Sequence, residues 1–158
     1  MAIKWASAGV KSVGEYQCSG VPWVSSSFVS DEETLKVEFP YVTRTIVVRN
    51  SNTGSANTSR MAVGFTEHGI KADVQNFQQP TGSIRGGAYS GNNYITLLAG
   101  ESLSMELRIK DLFLSASKTD VGGLGIKQVQ YEIIAGLTDI LREAQPAITG
   151  SNGYDGVG

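Results

Sequence analysis

Side chains able to do covalent or acid–base chemistry are scarce in this chain. His68 is the only histidine and Cys18 the only cysteine in 158 residues. A Ser-His-acid triad would have to use His68, which stands between Glu67 and Gly69, and a nucleophile–base dyad would have to join Cys18 to it. A histidine in a polar, glycine-flanked stretch reads as a solvated loop residue, and a lone cysteine within a strand reads as a small buried hydrophobe. One histidine and one cysteine also exclude zinc modules, CxxC redox centres and His-rich metal enzymes.

Other constellations dissolve on inspection of spacing. Asp31-Glu32-Glu33 lacks the alternating acids and glycine of a calcium loop, so a charged turn before Leu35 is the reading. Gly122-Gly123-Leu124-Gly125-Ile126-Lys127 has neither the spacing nor the Lys-Ser/Thr pair of a phosphate loop and reads as a glycine turn. Arg85-Gly86-Gly87 is a single copy of an RNA-binding type of repeat. The 15 acids could supply a hydrolytic carboxylate pair only if the fold brought two together. Trp5, Tyr89 and Tyr94 could stack on sugars, although core or interface packing is the commoner fate of aromatics. No catalytic set emerges, so the chain is expected not to be an enzyme and to need no cofactor or metal.

The elements that must carry these residues are short, alternating and turn-bounded, the pattern of an antiparallel sandwich or barrel. Gly14–Ser19 and Trp23–Ser30 read as strands. Leu35, Val37 and Phe39 alternate with Lys36 and Glu38 until Pro40, which has no N–H for a ladder. In 42–50, Val42, Arg44, Ile46 and Val48 are expected to face the core, with Arg44 at its rim, and Thr43, Thr45, Val47 and Arg49 to face outward. Ser51–Ser59 is a turn of Asn, Ser, Thr and Gly; Asn57-Thr58-Ser59 within it reads as ordinary turn rather than glycosylation sequon. Met61, Val63 and Phe65 predict a half-buried strand.

Tyr94–Leu98 and Ser102–Lys110 are predicted strands joined by Ala99-Gly100-Glu101, a link of hairpin length. In the second, Leu103, Met105, Leu107 and Ile109 share one face. The apolar phase then slips to Leu112 and Leu114, requiring a bulge, a turn or a new strand at Asp111. Lys127–Ile134 closes the series, with Val129, Tyr131 and Ile133 on one side. Leu137, Ile140, Leu141 and Ala144 follow helical spacing, predicting at most two turns ended by Pro146.

Two stretches exceed any hairpin link. Residues 67–93 carry His68, Arg85, Tyr89 and Pro80, with Tyr94 at the far margin, and residues 145–158 form a Gly-rich tail containing Tyr154. Long loops and tails are where partners bind, so His68, Arg85, Tyr89, Tyr94 and Tyr154 are the candidate contact residues.

Composition narrows the function further. The length fits one domain, and 19 glycines among 158 residues exceed the roughly 7% average and favour turns over long helices. Thirteen basic against fifteen acidic residues give a net charge of -2, so no basic field exists for nucleic acid. The N-terminus does not read as a secretory signal, and no apolar run is long enough for a membrane-spanning helix. A protein made in a reducing compartment and without direct membrane insertion is expected.

Five ordered stretches resemble one family. They are Val13-Gly14-Glu15-Tyr16-Gln17 leading to Pro22-Trp23-Val24-Ser25-Ser26; Glu38-Phe39-Pro40-Tyr41-Val42-Thr43 continuing to Asn50; Met61-Ala62-Val63-Gly64-Phe65-Thr66; Gly100 to Ser115; and Ile133-Ile134-Ala135-Gly136-Leu137-Thr138. In order and spacing, over roughly residues 13 to 140, they look like the single jelly-roll penton protein of large icosahedral double-stranded DNA viruses with double jelly-roll major capsid proteins. The resemblance implies an eight-stranded antiparallel jelly roll over 13–142, preceded by an N-terminal arm (1–12) and followed by a flexible tail (143–158). It implies a homopentamer closing the fivefold vertices of the virion, with major and minor capsid proteins as partners. A β-sandwich that binds glycans or a receptor through the long loop is the alternative. The resemblance also sets a final strand against the helical reading of Leu137–Ala144.

Overall fold

A computed structural model describes residues 21–30, 34–53, 59–67, 70, 94–118 and 128–145. These residues are almost wholly β: β1 (Val21–Ser30), β2 (Thr34–Glu38), β3 (Tyr41–Asn50), β4 (Ser59–Gly64), β5 (Tyr94–Leu98), β6 (Ser102–Met105), β7 (Asp111–Lys118) and β8 (Gln128–Leu141), then one 3-10 turn at Arg142–Ala144. The strands form two antiparallel four-stranded sheets, ordered β1-β8-β3-β6 and β2-β7-β4-β5. The fold is a β-sandwich, as the short alternating segments predict. The expected strand at Gly14–Ser19, the N-terminal arm, the glycine turn before Gln128 and the tail beyond Gln145 lie outside the described residues.

Alternation builds the core. Val37, Phe39, Ile46, Val48, Met61, Val63, Leu112, Leu114, Val129, Tyr131, Ile133, Ala135 and Leu137 pack into one cluster between the sheets. Dense packing of such side chains, each worth about 1.5–3 kcal/mol on full burial, is the main force joining the two sheets. Trp23 of β1 meets Phe39 edge to face, with ring centroids 5.0 Å apart and planes at 76°, which ties the first sheet to the second beside β2.

The connections and the burial pattern depart from the sequence reading in five places. Tyr94–Leu98 and Ser102–Met105 are not a hairpin: β5 pairs with β4 and β6 with β3, in opposite sheets. The link is a corner, with Gly100 at φ +83°, where a side chain would be strained. Loop length is the same for a hairpin and a sheet-to-sheet corner, so it could not distinguish them. Next, the strand predicted through Lys110 ends at Met105, and the chain crosses between sheets. The shared apolar face breaks with it, for Leu107 is exposed, while Ile109 is buried because its N–H donates to Thr43 Oγ1 (3.2 Å) and its carbonyl accepts from Thr43 N–H (2.9 Å). The phase slip at Asp111 is the start of β7 in the second sheet.

Thr43 is the third departure, buried rather than outward, because β3 shifts register against β8 between Tyr41 and Thr45. Its hydroxyl also donates to the Leu107 carbonyl at 2.7 Å. The fourth is Leu137–Ala144: β8 runs straight through to Leu141. Leu137, Thr138 and Ile140 are all buried. The same irregularity turns two successive residues inward and so reproduces helical spacing. Thr138 Oγ1 donates to the Val42 carbonyl (2.7 Å), holding β8 to the displaced segment of β3, where Val42 and Ile140 form a small core of their own. The β4 strand, predicted half-buried, is buried on both faces at Met61, Ala62, Val63 and Gly64.

Candidate functional site

Of the five candidate contact residues, only Tyr94 is described; His68, Arg85, Tyr89 and Tyr154 lie outside the described residues, as do Cys18 and Asp31-Glu32-Glu33. Tyr94 opens β5 on the outer side of the second sheet, half-buried, in the register row Lys36, Phe113, Gly64, Tyr94. Gly64 thus stands between two aromatic positions. Among the described residues no group of three or more His, Cys, Asp or Glu could hold a metal ion, and no helix is long and apolar enough to cross a membrane.

The outer surfaces of the two sheets differ. On the second sheet the outward positions of the two central strands, Ala62, Gly64, Phe113 and Ser115, are buried outside the main core, while Lys36 and Thr96 on the edge strands are exposed. On the first sheet one register row runs Val24, Ile134, Val47, Ser104 and the next Ser26, Glu132, Arg49, Ser102. Val24 is 68% exposed, Phe28 56% and Ile134 54%. Tyr41 and Leu141, also exposed, pair with each other at the far end of the same surface. In the second row Arg49 Nη1 lies 3.6 Å from Glu132 Oε2, and Asp139 is exposed nearer the Leu141 end. Exposed apolar side chains grouped on one sheet face offer water little and a protein partner much.

Two polar clusters hold this surface in place. At one end, the wholly buried Asn50 donates through Nδ2 to the carbonyls of Ser59 (3.3 Å) and Leu97 (3.1 Å) and accepts at Oδ1 from Asn52 N–H (3.2 Å). Asn52 in turn donates to Ser59 Oγ (2.6 Å) and accepts from Gln130 N–H (3.2 Å). Strands β3, β4, β5 and β8 are pinned together there. Asparagine is suited to this because one side chain supplies two donors and an acceptor.

At the other end, Arg142 Nη2 lies 2.9 Å from Asp111 Oδ1 and 3.1 Å from Glu38 Oε1, and Lys36 Nζ lies 2.6 Å from the same Glu38 oxygen and 3.6 Å from Asp111. The hydrogen bond from Lys36, and next that from Arg142, holds the Glu38 carboxyl below its ordinary value. The bond to Glu38 correspondingly raises Lys36, against a smaller opposing effect of desolvation. The bond to Glu38 also raises Arg142. Beyond Arg142 the chain stays anchored, because Gln145 Nε2 donates to the Arg108 carbonyl and Lys110 Nζ donates to the Gln145 carbonyl at 2.8 Å.

Sequence reasoning sought the site in loops and missed the sheet surface. The signal that could have found it is in β1, where Val24 and Phe28 share the outward parity of a strand holding no charged residue. No family model, no curated protein and no solved structure matches this chain.

Proposed function

We propose that this chain is a non-enzymatic structural subunit of a virion, a single jelly roll whose pentamers close the fivefold vertices of an icosahedral capsid. The observation that supports the jelly-roll half of the reading is the nesting of its strand pairs. β1 pairs with β8, β2 with β7, β3 with β6 and β4 with β5, as in one long hairpin rolled upon itself. Consecutive strands alternate between the sheets except at β4 to β5. That wrapping supports a jelly roll, an architecture shared by capsid subunits, lectin domains and cupins.

Fold alone does not choose among those uses. The choice rests on the resemblance of residues 13 to 140 to penton proteins, and on a low-charge chain with an uncovered apolar sheet surface. A ring that closes by rotation needs two different lateral patches on each subunit. Neighbouring major and minor capsid proteins would supply the remaining contacts.

The test is a reconstruction of particles from the source of this sequence, together with the mass of the purified full chain. Density for this sandwich in five copies at each vertex is the expected result. Absence of the protein from particles would overturn the reading. Saturable glycan binding lost in Tyr89→Ala and Tyr94→Ala would favour the receptor-binding alternative.

A further inference from the structure

Among the described residues four strands end a sheet, and three carry features that discourage pairing with another chain. β2 and β5 have five residues each and β6 has four, and β2 also presents Lys36 and Glu38. Shortness and charge are the usual protections of a sheet edge. β1 has neither, being ten residues long and uncharged. Among the described residues its only ladder partner is β8, and a strand laid along the opposite side would meet a second row of backbone N–H and C=O groups.

The sequence of β1 specifies which strand fits. Trp23-Val24 and Phe28-Val29 flank three serines, Ser25-Ser26-Ser27. Two copies run antiparallel about a twofold axis at Ser26 set Val24 opposite Phe28 on the outer face and Trp23 opposite Val29 on the inner face. Ser25 then meets Ser27. Every aromatic thus meets a β-branched residue, a favoured cross-strand pair, on both faces at once. An axis at Ser25 would instead oppose Trp23 to Ser27 and Phe28 to Pro22, and an axis at Ser27 would oppose Phe28 to Ser26 and Val29 to Ser25. An axis between residues would set outward positions against inward ones. Only one register matches.

Electrostatics does not oppose it. Among the described residues the charged group nearest the axis on the outer face is Glu132, in register with Ser26 and paired with Arg49. Two such carboxylates would be three strand spacings apart, roughly 14 Å. That exceeds the Debye length of about 8 Å at physiological salt. Pro22 falls opposite Ser30 at the ends of the ladder, where a missing N–H matters least.

We propose that this chain associates with a second copy of itself by antiparallel β1–β1 pairing about Ser26, joining the two first sheets into one of eight strands. The contact uses the same patch on both copies, whereas a ring uses two different ones, so it does not rest on the capsid reading.

The test uses the full chain carrying Cys18→Ser. Directly opposed antiparallel residues have Cα atoms about 4.5–5.5 Å apart, within reach of a disulfide. Ser26→Cys is therefore expected to form a disulfide dimer under mild oxidation, while Ser30→Cys, opposite Pro22, does not. In sedimentation, the parent protein is expected to dimerise and Phe28→Lys to dissociate at least about tenfold more readily, since it removes two cross-strand pairs and adds repulsion. Circular dichroism of Phe28→Lys checks that the sandwich persists, and the Ser26→Cys result stands without it. A parent monomeric up to millimolar concentration, or a dimer that Ser26→Cys does not cross-link, overturns the proposal. A pentameric ring without that cross-link overturns this contact and leaves the capsid reading standing; the cross-linked dimer of a protein absent from particles does the reverse.

Discussion

The two sheets of the sandwich have equivalent inner faces and opposite outer ones. Both contribute alternate residues to one core, yet the second sheet buries Phe113, Ala62 and Ser115 on its outer side while the first leaves Val24, Phe28 and Ile134 in water. The same residue class therefore serves two purposes. An outward apolar side chain that the chain itself covers contributes to folding, and one left uncovered contributes to association. The edges repeat the contrast: β2 carries Lys36 and Glu38 within an ionic cluster, and β1 carries no charge.

The largest expected effect breaks the comparison at its centre. Phe113→Ala should lower folding stability by about 3 kcal/mol, the lower end of the cost for a buried phenylalanine. Ile134→Ala, on the uncovered surface, should change it by no more than about 0.5 kcal/mol. Urea denaturation of both variants checks the pair. Equal losses would mean that the two outer surfaces do the same work. The second effect concerns the end that holds both sheets. Asn50→Ala removes three side-chain hydrogen bonds, leaving the Ser59 and Leu97 carbonyls and the Asn52 N–H without their partners. A cost of about 2–3 kcal/mol is expected, because a buried polar group left unpaired is penalised by its full desolvation. Thermal unfolding reads it directly.

The difference between the sheets was only partly legible in the sequence. Alternation identified Leu35–Phe39, the core side of Val129, Tyr131 and Ile133, and the break at Asp111, since a strand's period of two is local. Which strand neighbours which is not local. Ala99-Gly100-Glu101 read as a hairpin link because its length carries no information about the sheet that the next strand joins. Leu107 and Ile109 continue the alternation in sequence, yet the chain crosses between sheets there and leaves Leu107 exposed beside a buried Ile109, and Leu137 with Ile140 imitated a helix through a register shift. Candidate residues in the long loop could be named by composition, but β1 becomes an edge only once its pairing with β8 is known. Nor could spacing reveal that Arg142 meets Glu38 and Asp111, which precede it by 104 and 31 residues.

That ionic cluster gives the smallest effect and sharpens the contrast between the charged and uncharged edges. Glu38 is held below its ordinary value by Lys36 and then Arg142, so its folded form binds a proton less readily than its unfolded form. Its stabilising contribution is present above the unfolded carboxylate value and lost as pH falls through the lower folded one. Lys36, raised by Glu38, behaves inversely: its contribution is complete below the ordinary lysine value and lost as pH rises through the folded one. The cluster should therefore be insensitive to pH between about 5 and 9, the interval separating carboxylate and lysine titrations. Arg142→Ala should cost about 1 kcal/mol at neutral pH, the upper end for surface ion pairs, because its contact with Asp111 is part-buried and that with Glu38 exposed. Glu38→Gln should melt slightly below the parent at pH 7, and the gap should close at strongly acidic pH, where the parent's own carboxylate is protonated. Melting curves of the parent and both variants across pH test this. A gap that persists in acid would assign the loss to packing of the side chain rather than to its charge. The charged edge would then differ from β1 in shape and not in electrostatics.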